Sequence, residues 1–218
     1  MRRVIISAMI LILFTVLAAC TNDYNPAEDM YTHLEKSVEL ESSFQSAQSQ
    51  LVELEEQENE LYDEMMEINM DELDEIQPLV EDALGLVDER RELIKQEKES
   101  IDSAKEEFDE VDEYVEELDE EPKEKADKMI EKMDARYEAF NELYEAYQAS
   151  IELDAELYEM LQNEELKKED LDSQVESVNN SYSDVKEAQE QFNNLTQEFN
   201  ELKKEFYEAS GLNVEYDE

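Results

Sequence analysis

The feature that most constrains this chain is an apolar repeat running through an otherwise strongly charged sequence. From Leu73 to Leu118, the positions Leu73, Ile76, Val80, Ala83, Val87, Arg90, Ile94, Glu97, Ile101, Ala104, Phe108, Val111, Val115 and Leu118 follow one another in alternating three- and four-residue steps. Twelve of these fourteen positions are apolar. Such spacing lines one face of an α-helix, with almost everything else in the segment polar. A helix apolar on so narrow a stripe is not stable alone and needs partners of the same kind.

The rest of the chain supplies them. Phe44, Ala47, Leu51, Leu54, Glu58, Leu61, Met65 and Ile68 repeat in the same way. So do Ile130, Met133, Tyr137, Phe140, Tyr144, Tyr147, Ile151, Asp154, Tyr158 and Leu161. A fourth series is Leu171, Val175, Val178, Tyr182, Val185, Ala188, Phe192, Leu195, Phe199, Leu202, Phe206 and Ala209, whose phase shifts near Val185. Boundary signals separate the series. Asn25-Pro26-Ala27-Glu28 reads as a capped helix start, and Asn69-Met70-Asp71 interrupts the first pattern. Pro78 predicts a kink or a late start in the second helix. Asp119-Glu120-Glu121-Pro122 predicts its end, and Gly211 predicts a C-terminal cap. The expected helices span about 26–68, 72–118, 123–162 and 171–210, with an acidic tail at 211–218. At 1.5 Å per residue each is roughly 60 Å long. Short connections favour antiparallel neighbours, so the expected fold is all-α: an elongated four-helix up-and-down bundle with coiled-coil-like packing. Three helices, one of them bent at Pro78, form the alternative.

Composition agrees with helices and excludes much else. The 218 residues include only two glycines and three prolines, too few for the turns of a sheet protein. Acidic residues number 64 against 18 basic ones, a net charge of −46. Such a surface repels nucleic acid and anionic membrane faces.

The first twenty residues carry a separate message. Arg2 and Arg3 precede an apolar run from Val4 to Leu17 that is broken only by Ser7 and Thr15, and the run ends in Leu17-Ala18-Ala19-Cys20. A basic start, an apolar stretch and a small-residue site make a secretory signal, and its last four residues have the form of a bacterial lipobox. The expectation is a signal peptide at 1–19, lipidation of Cys20, a short tether at 20–25, and an extracytoplasmic bundle on the outer face of the cell membrane. An uncleaved transmembrane anchor is one alternative, although the run is shorter than the ~20 residues a spanning helix needs, and a plain secretory signal with an incidental cysteine is another. With Cys20, the sole cysteine, committed to lipid, no disulfide is available.

Candidate sites lie where the apolar stripes carry charge: Glu58, Arg90, Glu97 and Asp154. Folding the chain back at about residue 121 places position 90 opposite about 152. An inter-helix ion pair between Arg90 and Asp154 is therefore expected, forming a polar layer that disfavours shifted pairings. Glu97 is expected near Tyr144 and Tyr147, where a phenol could bond to it. Tyr137, Tyr144, Tyr147 and Tyr158 share one stripe, a pattern that suits core packing with the hydroxyls reaching the surface. A di-iron site needs Glu-x-x-His pairs, whereas His33 is the single histidine and Met30 stands three residues before it. No phosphate loop, calcium loop or nucleophile–base set is recognisable. The expectation is therefore a protein that is not an enzyme, without a cofactor beyond unspecific divalent cations on its carboxylates.

Several stretches together resemble the YkyA-like family of Gram-positive bacteria, described as cell-wall binding lipoproteins. They are the lipobox ending at Cys20, Glu53-Leu54-Glu55-Glu56-Gln57-Glu58-Asn59-Glu60-Leu61-Tyr62, Val87-Asp88-Glu89-Arg90-Arg91-Glu92, Glu97-Lys98-Glu99-Ser100-Ile101, Tyr137-Glu138-Ala139-Phe140 and Tyr144-Glu145-Ala146-Tyr147. The resemblance implies an up-and-down bundle outside the cytoplasmic membrane, with a cell-wall polymer or an envelope protein as partner, and brings no catalytic residues. A solute- or peptide-binding lipoprotein is the rival reading.

Overall fold

The computed structural model describes residues 24–69 and 72–214. The signal peptide, Cys20, Asp71 and the last four residues of the acidic tail lie outside them. Six helical segments follow one another among the described residues: α1 (Pro26–Leu40), α2 (Ser42–Glu67), α3 (Leu73–Asp109), α4 (Asp112–Val115), α5 (Glu120–Met160) and α6 (Lys168–Ala209). Among the described residues there is no strand. The segments make four antiparallel rods, α1–α2, α3–α4, α5 and α6. They pack α1 and α2 on α3, α3 on α5, and α5 on α6.

The apolar stripe from Leu73 to Leu118 is the axis of the core. From Ile76 to Val115 all of its positions are buried, and Leu73 and Leu118 at its ends are half-buried. It runs without a break across the α3–α4 interruption. Glu110 and Val111 keep right-handed helical backbone, and the Val111 amide donates to the Phe108 carbonyl at 3.0 Å. That is a tightened turn rather than a loop.

The first rod is interrupted at Glu41, ahead of Ser42-Ser43, residues that compete with the helix for backbone hydrogen bonds. Two serines tie this point to α3. Ser37 Oγ donates to the Ala104 carbonyl at 2.8 Å, and Ser100 Oγ donates to the Leu40 carbonyl at 2.6 Å.

The ends follow their local chemistry. Asn25 Oδ1 accepts from the Ala27 amide at 3.1 Å, and Pro26 occupies the first helical position. Pro78 lies inside α3, which starts at Leu73 and not late. The α3–α4 rod ends at Val115 and α5 starts at Glu120, so Pro122 sits in the first turn of α5, where a missing N–H is not needed. Helix α6 starts at Lys168, three residues ahead of the expected position. Gly211 takes φ +69°, and the Leu212 amide donates to the Tyr207 carbonyl at 3.0 Å, the pattern of a Schellman cap.

Three apolar clusters succeed one another along the rods. A proximal cluster joins Met30 and Leu34 of α1 with Phe108, Met129, Phe199 and Phe206. A middle cluster holds Ile101, Phe140, Leu143 and Phe192, with Phe44 packed on it. Its three phenyl rings stand 5.6–5.9 Å apart, centroid to centroid, within the favourable range for tilted and edge-on pairs. A distal cluster contains Leu51, Leu54 and Met65 of α2, Val80, Val87 and Ile94 of α3, and Ile151 and Tyr158 of α5.

Candidate functional site

Burying a charge in a bundle this thin is costly unless it is paired and hydrogen-bonded. The described core nonetheless contains several, and they gather at two nodes.

The distal node is built on Arg90 of α3, whose side chain is fully enclosed. Its Nη1 donates to Glu58 Oε2 of α2 at 2.8 Å and to Asp154 Oδ2 of α5 at 2.9 Å. Its Nη2 donates to the Tyr182 hydroxyl of α6 at 2.7 Å, and that hydroxyl donates in turn to Asp154 Oδ2 at 2.7 Å. One guanidinium thus touches a group from each of the other three rods. Glu55 Oε1 lies 3.6 Å from Nη2 and also accepts from the Tyr147 hydroxyl. Two buried atoms of the node have no hydrogen-bond partner among the described residues, Arg90 Nε and Glu58 Oε1. Burial opposes the guanidinium's charge, but Tyr147, Tyr182, Glu58 and Asp154 around it outweigh that and hold it charged. Burial pushes the Glu58 carboxyl up to about 7 against the opposing pull of Arg90. The Asp154 carboxyl is raised by the same burial, again with Arg90 opposing.

Glu97 lies on the same stripe of α3, two turns further on. Its partner is not a phenol, as expected from the sequence, but the Gln48 side-chain amide of α2, which donates at 2.9 Å. Burial pushes this carboxyl up to about 8, eased only by that one bond. The expectation failed because it looked across to α5, whereas Glu97 turns to α2. The Tyr147 hydroxyl is engaged by Glu55.

The proximal node is one that the sequence reading missed. Arg136 of α5 makes a bidentate pair with Glu41, with Nη1–Oε1 and Nη2–Oε2 both at 2.7 Å, and its Nε donates to Thr196 Oγ1 of α6 at 2.9 Å. Its guanidinium also lies over the Phe192 ring, 5.0 Å from the centroid. Two turns further along α6, Lys203 is buried 3.8 Å from Glu35 of α1, which also accepts from the Tyr207 hydroxyl at 2.8 Å. Burial pushes the Lys203 ammonium down, with Glu35 and Glu41 opposing. The signal was present in the sequence. In the first half of α5 the buried line runs Ala126, Met129, Met133, Arg136, Phe140 and Leu143, one residue out of phase with a line through Ile130 and Tyr137. Lys203 likewise stands between Phe199 and Phe206 at helical spacing.

The remaining candidates are accounted for by packing. The Tyr137 hydroxyl donates to Asp102 at 2.7 Å, and Tyr144 accepts from Gln148 at 2.9 Å. His33 pairs with Glu107 across α1 and α3 at 2.7 Å, and Lys36 joins the same carboxylate at 2.5 Å. Among the described residues no group of carboxylates, histidines or cysteines is arranged to hold a metal ion, and no helix is long and apolar enough to cross a membrane. On the surface, an open cleft of about 530 Å³ lies between α2 and α3. Glu53, Asp88, Glu89 and Glu92 give it an acidic lining over Leu54 and Leu93.

Known proteins share this architecture. A crystal structure of a conserved protein of unknown function from Staphylococcus aureus superposes with a TM-score of 0.71 at 12% identity, over 83% of this chain and 91% of that one. At such low identity the likeness speaks for the fold alone. In sequence, the chain is 35% identical over 201 residues to an uncharacterized lipoprotein, YkyA, of Bacillus subtilis (strain 168), covering 92% of this chain and 90% of that protein. Residues 25–209 match the family described as "Putative cell-wall binding lipoprotein", which spans both polar nodes and every helix. The chain belongs to this YkyA lipoprotein family.

Proposed function

We propose that this protein is a non-catalytic binding or scaffold module of the cell envelope, held by lipid on Cys20 at the outer face of the cell membrane. The observation that carries the reading is that the interior charges are spent on the bundle itself. Arg90 and Arg136 are consumed by carboxylates and hydroxyls of neighbouring helices. The outward face is left as the part that meets partners, and it is dominated by carboxylates. Membership of a lipoprotein family supports the anchor, as does the lipobox that ends at Cys20. A lipidated residue carrying more than one acyl chain holds a protein stably where one chain does not.

The partner is a wall polymer or an envelope protein. Direct attachment of so acidic a surface to a polyanionic polymer is repulsive, so divalent cations bridging carboxylates to the polymer complete the reading. Incubating the purified protein with isolated wall and with protoplasts, with and without Ca²⁺ or Mg²⁺, tests it. Retention on wall only with the cation is the expected result. Retention on protoplasts through one membrane protein would favour the scaffold form, and retention on neither would remove the binding role. The anchor is tested separately: Cys20→Ser is expected to leave the membrane fraction.

A further inference from the structure

The distal node and Glu97 have a property that the proposed binding role does not use. Three buried carboxylates, Glu58, Asp154 and Glu97, share the distal half with one buried cation, Arg90. Two of the three, Glu58 and Glu97, lie on the seam between α2 and α3. Helix α2 packs chiefly on α3, so this seam is its main attachment.

Around Glu58 the facing groups are Arg90 from α3, Asp154 and Tyr158 from α5, Tyr182 from α6 through Arg90 and Asp154, and Glu55 on its own helix. One positive charge therefore faces three carboxylates, Glu58, Asp154 and Glu55, and the last two also accept from a phenol, Tyr182 and Tyr147 respectively. Glu58 Oε1, enclosed and unpartnered, is where a proton would reside. Glu97 accepts from the neutral Gln48 amide of α2, and among the described residues no charge offsets its burial. The outer edge of the seam adds repulsion, because Glu53 of α2 faces Asp88, Glu89 and Glu92 of α3 across the open cleft. Among the described residues, Asp88 alone of these pairs with a cation, Arg91 at 2.5 Å.

We propose that the α2–α3 seam is a proton-dependent latch: with Glu58 and Glu97 protonated α2 is seated on α3, and as the two carboxyls ionise α2 lifts away while the proximal half stays closed. Burial raises both groups, to about 7 and about 8, which sets the response at and just above neutrality. Opening exposes the apolar floor formed by Leu51, Leu54 and Leu93. The proximal half has no counterpart, because its buried carboxylate, Glu41, is bonded by both arms of Arg136.

Amide hydrogen exchange on the full chain in detergent, from about pH 5.5 to about pH 8.5, tests the latch once intrinsic exchange rates are corrected for pH. Protection of the α2 amides is expected to fall by roughly tenfold or more, the effect of one unit of proton linkage, while the α1 amides from Met30 to Ser37 keep theirs. Equal loss in α1 and α2, or no loss in α2, would overturn the proposal. In the Glu58→Gln, Glu97→Gln double variant, α2 should stay protected at the alkaline end; a loss equal to that of the unaltered chain would also overturn it. Carbon-13 titration of the glutamate carboxyls in the unaltered chain stands independently of whether that variant folds. Two carboxyls ionising near neutrality support the latch, and all ionising in the ordinary range refutes it.

Discussion

The two halves of this bundle bury charge with opposite balance. The distal half encloses three carboxylates and one cation, whereas the proximal half encloses Arg136 and Lys203 with one fully buried carboxylate, Glu41, and the partly covered Glu35. The geometry differs as well. Every arm of Arg136 has a partner, including two parallel bonds to Glu41, the strongest arrangement an arginine and a carboxylate can make. Arg90 reaches all three other rods but leaves its own Nε and one oxygen of Glu58 without a partner among the described residues. A saturated pair fixes one register. An under-compensated cluster fixes register too, yet carries charge that a proton can relieve.

Removing the cation from each node should give the largest effect and separate the two. Arg90→Met leaves Glu58 and Asp154 buried without a counter-charge, and Arg136→Met does the same to Glu41. Breaking a buried pair from one side costs about 3–5 kcal/mol, so both variants should lose stability on that scale in urea unfolding. The Arg90 variant should recover much of its loss as pH falls toward 5, because two carboxyls already raised by burial accept protons readily. If Arg90→Leu instead keeps a single well-ordered bundle at full stability, the polar layer does not set register.

The unaltered protein should show the same asymmetry against pH. Glu97 is raised from 4.5 to about 8 and Glu58 from 4.5 to about 7. For a group raised on folding, the folded state holds the proton more tightly than the unfolded chain does. That stability is complete below about 4.5 and is lost as pH rises through 7 and 8, at up to about 1.4 kcal/mol per unit for each group. Lys203 runs the other way. Its folded value is lowered, so its burial penalty is relieved as pH climbs toward 10.5. Between about pH 5 and 8.5 the net expectation is a falling unfolding midpoint. A flat or rising midpoint would break the contrast between the halves.

A substitution at Lys203 sharpens the proximal side. Lys203→Met keeps the stem that packs near Tyr207 and deletes a charge whose nearest carboxylate oxygen is 3.8 Å away. Replacing a poorly compensated buried charge with an apolar side chain of like size is often neutral or stabilising. The expected change is a gain of about 1 kcal/mol near neutral pH that vanishes at alkaline pH, read from thermal unfolding at the two conditions.

How far the sequence disclosed these nodes depended on which helix face could be read. The α3 stripe was so regular that Arg90 and Glu97 stood out as the two charged members of an apolar line, and one hairpin fold at about residue 121 brought Arg90 level with Asp154. Glu58 lay on its own stripe, but nothing in spacing says that a residue of α2 reaches the same guanidinium. Pairing across non-consecutive rods depends on rotations that periodicity does not contain. Arg136 was hidden for a simpler reason. Tyr137 beside it is the more hydrophobic choice for a core line, and the alternating steps tolerate a one-residue slip. Glu41 was hidden because the first stripe was begun at Phe44, which left out Met30, Leu34 and Ser37, all buried. The helix at 26–68 also contains a turn at Glu41 that the sequence marks only by Ser42-Ser43. Gly211 and Asn25 were legible because caps are local chemistry.

The two glycines give the smallest test, one in each half and with opposite signs. Gly85 lies inside α3 on an exposed face, and a Cβ built there meets nothing within 4 Å. Alanine at that position removes the helix penalty of glycine, worth about 1 kcal/mol. Gly211 also has free space around it, but its φ of +69° is a conformation that a Cβ disfavours. Gly211→Ala should therefore cost about 1 kcal/mol, through backbone strain at the cap rather than through crowding. The paired measurement bears on the latch as well. Gly85→Ala strengthens α3 without touching the α2 interface, so it should raise the unfolding midpoint and leave the pH dependence of α2 exchange unchanged. If it also abolished that dependence, the alkaline loosening would belong to α3 itself and not to the seam.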